Sequence, residues 1–266
     1  MQYPPEVWTA LRNLRERSPL VHNITNYVAM DVSANALLAV GAAPAMVHAL
    51  DEVEEFVSIS HALVVNIGTL SPPWVEAMHR AAERAAALGK PWVLDPVGAG
   101  ATRYRTDTAR DLVGRRPTVI RGNASEILAV AGGVQETRGV DSAHASDDAV
   151  QAARGLASRV GCVVAVTGAV DYVTDGERTL SVANGHPMMT RVTALGCSAT
   201  ALVGAFLAAH DDALFATAAA LAVIGLAGEI AAREAPGPGT FRQKLLDALY
   251  LMGERALDGV RIAEEP

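Results

Sequence analysis

Cysteine occurs only twice in the 266 residues, at positions 162 and 197. Two thiols exclude a framework of disulfides and lack the paired spacing of a structural metal site. Aromatic residues make up 5% of the chain and no block of Lys or Arg interrupts its net charge of −7. That balance removes the electrostatic footprint for nucleic acid or anionic lipid, so the predicted partners are small molecules or copies of the chain itself. The most apolar stretch, 213 to 228, is Ala-rich, falls short of the roughly 20 residues of a membrane span, and is followed by Glu229. It predicts a buried helix. Residues 1 to 18 are amphipathic and carry Glu6, Arg12, Arg15, Glu16 and Arg17, without the apolar core of a secretory signal, which predicts a cytoplasmic address. A Walker loop is missing, "GAGATR" at 98 to 103 fails the dinucleotide fingerprint, and a phosphatase-type C-x5-R is broken by Val203.

Half of the residues are hydrophobic, enough for one large core, and no linker or internal repeat divides the chain, so a single domain over 1 to 266 is expected. Short apolar runs at 43–47, 62–68, 91–98, 117–123 and 162–168 alternate with helical segments at 29–40, 51–60, 72–88, 106–115, 124–131 and 147–160. That alternation predicts an α/β chain with parallel strands joined by crossover helices. Then the pattern changes: Asp175-Gly176 sits between two short alternating segments and predicts a β-hairpin. Helices are predicted at 196–209, 212–233 and 240–258, the last two separated by "PGPG" at 236–239.

Four of the strand candidates end in polar or glycine clusters: Asn66 to Thr69, Asp95 to Gly98, Arg121 to Asn123, and Thr167-Gly168. In an open parallel sheet these ends share one edge, where ligands bind, so the clusters predict one site. Arg121 at a strand end calls for an anionic or carbonyl partner, and Asp95 follows the apolar "PWVL". Glu126, three residues after Asn123, has two readings: it closes a capping box, or it joins Asp95 in holding Mg²⁺ through water. A final candidate is "TALGCSATALVGAFLAAH" at 193 to 210, where a turn through Gly196 opens a helix and offers free N–H groups, a natural phosphate site. Cys162, within "CVVAVTG", reads as a small core residue.

The chain resembles the hydroxyethylthiazole kinases, thiamine-salvage enzymes of the ribokinase-like superfamily. The resemblance runs over nearly the whole length, through "PLVHNITNYV" (19–28), "GAAPAMVHALDEVEEF" (41–56), "VVNIGTL" (64–70), "LDPVGAGATRYR" (94–105), "VIRGNASEI" (119–127), "VAVTGAVDYVTDG" (164–176) and "VTALGC" (192–197). It implies a three-layer sandwich with a mainly parallel sheet and a small β-hairpin addition. It also implies transfer of the γ-phosphoryl of ATP, with Mg²⁺, to the alcohol of 5-(2-hydroxyethyl)-4-methylthiazole. By motif, Arg121, Thr167, Gly168 and Thr193 would serve the nucleotide, Asp95 and Glu126 the metal, and Asn26, Val28, Met46, Gly68 and Ala194 the thiazole side. The family forms trimers with sites between subunits, so a homotrimer is implied as well. Where the family turn reads Thr-Gly-x-Gly-Cys, this chain has Thr193-Ala194-Leu195-Gly196-Cys197.

Backbone N–H groups around Gly196 would receive the charge on the transferring phosphoryl, and Cys197 is expected to act as a partly ionised general base. Two other classes remain. One is a cysteine-nucleophile hydrolase using Cys197 with His22, His61 or His186 as base. The other is a non-catalytic nucleotide-binding subunit. Within the superfamily, the rivals are a hydroxymethylpyrimidine kinase and a nicotinamide-hydrate dehydratase, both disfavoured by Cys197 and "HNITNYV". His22 itself is expected to be structural, in a site loop.

Overall fold

The computed structural model describes residues 3–132 and 142–266. Its centre is a nine-stranded sheet of order β2-β1-β3-β4-β5-β6-β7-β8-β9. The strands are β1 (Leu20–Ile24), β2 (Ala43–Met46), β3 (Ala62–Asn66), β4 (Trp92–Asp95), β5 (Val119–Asn123), β6 (Val163–Thr167), β7 (Asp171–Thr174), β8 (Thr179–Val182) and β9 (Ile262–Glu265). From β2 to β6 every neighbour is parallel, and from β6 to β9 every neighbour is antiparallel. β3 and β4 are buried throughout, as expected for parallel strands covered on both faces.

Two cores flank the sheet and make the sandwich three layers deep. One lies under α1 (Tyr3–Arg17), α2 (Met30–Val40), α8 (Leu195–Leu207), α9 (Ala213–Glu234) and α10 (Pro238–Leu251). The other lies under α3 (Val53–Ile59), α4 (Pro72–Ala87), α5 (Arg103–Val113), α6 (Ala124–Ala131) and α7 (Ser142–Val160). Local chemistry sets several boundaries. Ser71 precedes Pro72, whose fixed φ suits the first turn of α4. Asp212 accepts hydrogen bonds from the N–H groups of Leu214 and Phe215 and so starts α9. α9 is long and apolar enough to cross a membrane by length and composition, yet 83% of that window is buried inside the protein.

The structure corrects three expectations. Residues 20–24, assigned to a site loop, form the inner strand β1, because neighbours on both sides complete its ladder. Its polar residues hid it: His22 and Asn23 are buried, and His22 Nε2 meets the Val47 carbonyl at 2.8 Å. The expected hairpin β7-β8 is present and extends the main sheet, whereas β9, whose sequence "IAEE" carries no strand signal, was not expected and pairs with β8. The last predicted helix stops at Leu251, after which residues 254–259 form a 3-10 helix.

The position that organises the site is the topological switch. β2 lies on one side of β1 and β3 on the other, so the connections leaving β1 and β2 run in opposite directions across the sheet. The carboxyl ends of β1 and β3 therefore open a crevice, the place where such sheets hold ligands. α8 packs across β1, β3 and β4, and its first turn is brought to that edge.

Candidate active site

The four polar strand ends do meet along one edge, since β3, β4, β5 and β6 are consecutive in the sheet. Arg121, Thr167, Gly168 and Gly196 line a single cavity of about 730 Å³. Sequence reasoning missed its other walls. Asp171 begins β7, the first strand of the hairpin. His186 and Met189 stand on the segment before α8, while Leu221, Ile224 and Gly225 come from α9. The signal was present in α9, because positions 221, 224 and 225 share one helix face. An all-apolar helix conceals which face borders a cavity.

Arg121 is the most telling group here. Its Nε is buried with no hydrogen-bond partner among the described residues, and Nη1 stands 3.1 Å from where a side chain on Gly196 would begin. A guanidinium held this way at the start of a helix is prepared for an anion. The first intrahelical bond of α8 runs from Ser198 N–H to the Ala194 carbonyl at 2.9 Å. The N–H groups of Leu195, Gly196 and Cys197 thus point out of the helix start beside Arg121. Thr167 donates to the Gly122 carbonyl at 3.2 Å, and Gly168 N–H donates to Asp171 at 2.9 Å. Burial pushes the Asp171 carboxyl up to about 6, against the pull of the Gly168 N–H and Arg121. Thr193 is exposed beside the turn.

Ala194 opens α8 in the left-handed conformation, at φ 63 and ψ 7. For an L-residue with a Cβ this backbone costs on the order of 1 kcal/mol. Glycine would adopt it freely. The variant Ala194→Gly is expected to raise Tm by about 2 °C, allowing for the extra freedom that glycine gives the unfolded chain. A thermal melt that is unchanged or lower would show that the Ala194 methyl, which packs on the core, outweighs the strain.

On the other side of α8's first turn lies a chain of hydrogen bonds. Asp95 is buried, and its Oδ2 accepts from Asn66 Nδ2 and Thr200 Oγ1, both at 2.8 Å. Asn66 Oδ1 accepts from Asn26 Nδ2 and from the Gly68 N–H, both at 2.9 Å. Asn26 Nδ2 also approaches Cys197 Sγ at 3.5 Å. Asn66 and Thr200 had no assigned role from sequence, although Asn66 lay within a noted strand-end cluster. Arg105 fastens the adjoining turns: its guanidinium donates to the carbonyls of Ile67, Val97 and Gly68 at 2.9 to 3.0 Å. Met46 ends the edge strand β2, Val28 is exposed beside Asn26, and neither lines the cavity that holds Arg121.

Cys197 lies half-buried beside this chain of hydrogen bonds. Burial and the nearby Asp95 carboxylate push its thiol up, and the donors Asn66 and Asn26 together with Arg121 do not reverse this. This upward push runs against the partial ionisation expected of a thiol at a helix start. Burial also pushes Asp95 up to about 6, with Arg121 and Thr200 pulling the other way.

Glu126 realises the capping box: Asn123 accepts from Glu126 N–H at 3.0 Å, and Glu126 Oε2 accepts from Asn123 N–H at 2.9 Å. Its Oε1 accepts from Gly98 N–H at 2.9 Å, tying α6 to the turn after β4. No group of three or more His, Cys, Asp and Glu is gathered as a metal cage among the described residues. Two carboxylates with lone pairs to spare still fit Mg²⁺, which keeps most of its waters and binds beside phosphates.

None of the three histidines considered as a base is aimed at Cys197. His22 is packed against Phe56 and bonded to Val47, and burial pushes its pKa down to about 4. His61 precedes β3, at the opposite end of the strand, and accepts from Leu20 N–H at 2.9 Å. His186 accepts from Met188 N–H at 3.2 Å.

A three-layer ribokinase-like sheet whose carboxyl edge holds an anion-ready arginine, an open helix start and a buried polar group beside it defines a small-molecule phosphotransferase. The hydroxyethylthiazole kinase family model matches residues 11–255. Curated relatives named hydroxyethylthiazole kinase include those of Cereibacter sphaeroides, 57% identical over 96% of this chain and 97% of the relative, and Syntrophus aciditrophicus, 55% identical over 96% and 95%. The solved hydroxyethylthiazole kinase protein of Pyrococcus horikoshii OT3 is 45% identical, covers 98% of this chain and 100% of its own, and superposes with a TM-score of 0.92. A pyridoxal kinase from Staphylococcus aureus, at 17% identity and TM-score 0.60 over 79% and 87%, shares the fold. The chain belongs to the hydroxyethylthiazole kinase family.

Proposed function

We propose that the protein phosphorylates the primary alcohol of 5-(2-hydroxyethyl)-4-methylthiazole with ATP, in thiamine salvage, through the residues gathered around the first turn of α8. The observation that carries this reading is the Arg121 guanidinium, without a protein partner among the described residues, held against Gly196 beside the Cys197-Asn26 group. Arg121, Thr167, Gly168 and Thr193 face the nucleotide. Asn26, Val28, Met46, Gly68 and Ala194 border the thiazole. The N–H groups from Leu195 to Cys197 receive the charge that spreads over the phosphoryl oxygens as it moves. Asp95 and Glu126 hold Mg²⁺ through water, and the ion, when bound, neutralises phosphate charge. One domain carries all of these roles.

Cys197 takes the alcohol's proton in its thiolate form. Burial pushes the thiol up and makes that form scarcer, so the backbone donors contribute more of the rate. Cys197→Ala is expected to lower kcat by about ten- to a hundredfold, and Cys197→Asp to exceed it, since a carboxylate is ionised at neutral pH. The native enzyme is expected to gain rate across the alkaline range while the Cys197→Asp variant does not. Full activity in Cys197→Ala would remove the base role.

The reading includes a cytoplasmic homotrimer with the thiazole site between subunits. Tyr27 and Val28, apolar yet 67% and 60% exposed beside Asn26, suit burial by a second copy. Sedimentation tests that part. The assignment as a whole is tested by ADP formation with MgATP against thiazole, pyrimidine and sugar alcohols; failure with every thiazole alcohol overturns it.

A further inference from the structure

We infer that Asn66 is the positioning residue of this site: it takes one amide proton of Asn26 and leaves the other for the substrate oxygen, which turns the alcohol's own proton towards Cys197. The inference rests on the proposed transfer to an alcohol and adds the direction of its O–H bond.

Backbone donors settle which way both amides face. A peptide N–H can only donate, so the atom of Asn66 that receives the Gly68 N–H at 2.9 Å is its oxygen. The Asn66 nitrogen therefore faces Asp95 Oδ2, at 2.8 Å. By the same reasoning the Asn26 oxygen receives the N–H groups of Val28 and Ala29, at 3.1 and 3.0 Å. Its nitrogen then faces Asn66 Oδ1 at 2.9 Å and Cys197 Sγ at 3.5 Å.

An amide nitrogen carries two protons, and Asn66 claims one. The remaining proton points at the sulfur and the space next to it. An alcohol oxygen entering there meets a donor and accepts from it. Its own proton then turns towards Sγ, which takes it when Cys197 is the thiolate. As the new O–P bond forms and the bond to the departing ADP oxygen breaks, the O–H bond gives its proton to the thiolate.

Asn66 is well placed to enforce this. It is 1% exposed and ends β3 in register with Asp95 at the end of β4, so it sits on the rigid sheet and not on a loop. Gly68 leaves no slack either, since a side chain there would begin 2.5 Å from Asn26 Nδ2. Asn26, on the loop after β1, owes its orientation to the strand beside it.

The test is a double-mutant cycle on kcat and KM with melting curves alongside. Asn26→Ala and Asn66→Ala are each expected to lower kcat about a hundredfold, with KM for the thiazole alcohol kept within about threefold. The double variant is expected to be no slower than either single one. Losses that multiply in the double variant, or a KM that moves together with kcat and Tm, would reduce Asn66 to a packing residue and overturn the inference. If Asn66→Ala does not fold, Asn66→Leu replaces it in the cycle. If neither folds, Asn26→Asp carries the test: it keeps the oxygen for Val28 and Ala29 but offers no N–H, so the same hundredfold loss is expected and native kcat overturns the proposal. Failure of the proposed function shows in the native protein alone, whereas failure of this inference shows as an additive cycle in an active enzyme.

Discussion

Arg121→Ala is expected to lower kcat/KM for ATP by about a thousandfold, with no loss of thermal stability in the ligand-free protein. The two halves of that outcome have one cause. Nothing among the described residues accepts from Nε of Arg121, so folding strips water from the guanidinium without giving it a protein acceptor there. The return comes only with an anion, next to the open N–H groups of α8. Arg121→Lys is expected to recover part of the loss, since an ammonium keeps the charge without the planar fork that matches two phosphate oxygens. Steady-state kinetics with varied ATP, together with a melt in buffer and in MgATP, checks this. The native protein should gain stability from MgATP by mass action and the Ala variant should not. A variant that melts lower without ligand and keeps its kcat would show Arg121 to be structural.

The second large effect is expected at Asp95, where activity and stability should move in opposite directions. Asp95→Asn removes the buried carboxylate proposed to serve the metal, and kcat is expected to fall about a thousandfold. The amide keeps an oxygen for Asn66 and Thr200 but carries no charge. With burial pushing the folded carboxyl up to about 6 from 3.8, the folded protein holds its proton more tightly than the unfolded chain does. Ionised Asp95 thus costs stability fully above pH 6, and the cost fades as pH falls towards 3.8. Its size above pH 6 is up to about 3 kcal/mol. The variant is therefore expected to melt several degrees higher than the native protein at pH 7.5 and at nearly the same temperature near pH 4. Comparing variant with native protein cancels His22, whose lowered pKa acts in the opposite sense. Equal melting temperatures at every pH would mean that the Asp95 charge is already compensated by Arg121.

Much of this arrangement was legible before the fold. Fully buried parallel strands announce themselves as Val- and Ile-rich runs, and their polar ends mark the ligand edge. β1 escaped because two of its five residues are polar and buried, satisfied by tertiary partners that no local pattern reveals. Cys197 was recognisable as a residue of the site but its ionisation was not. The helix start was visible in the sequence, whereas the burial and the Asp95 charge that push the thiol up belong to the three-dimensional neighbourhood. The same holds for Asn66: as a residue in "VVNIGT" it marks a turn, and only the register of β3 with β4 and the loop from β1 make it the junction of three groups, Asn26, Asp95 and Gly68.

Helix α9 lends one wall to the cavity beside Arg121, and nearly every side of it is buried. An amphipathic helix can rest half-formed on a surface, but one without a polar stripe has no such halfway state. During synthesis or after heat stress, the stretch from Ala213 to Gly228 would present a chaperone or a neighbouring chain with an unbroken oily segment until β6, α8 and α10 enclose it. The wall that shapes the Arg121 cavity is for that reason also a segment that must be enclosed early to escape misfolding.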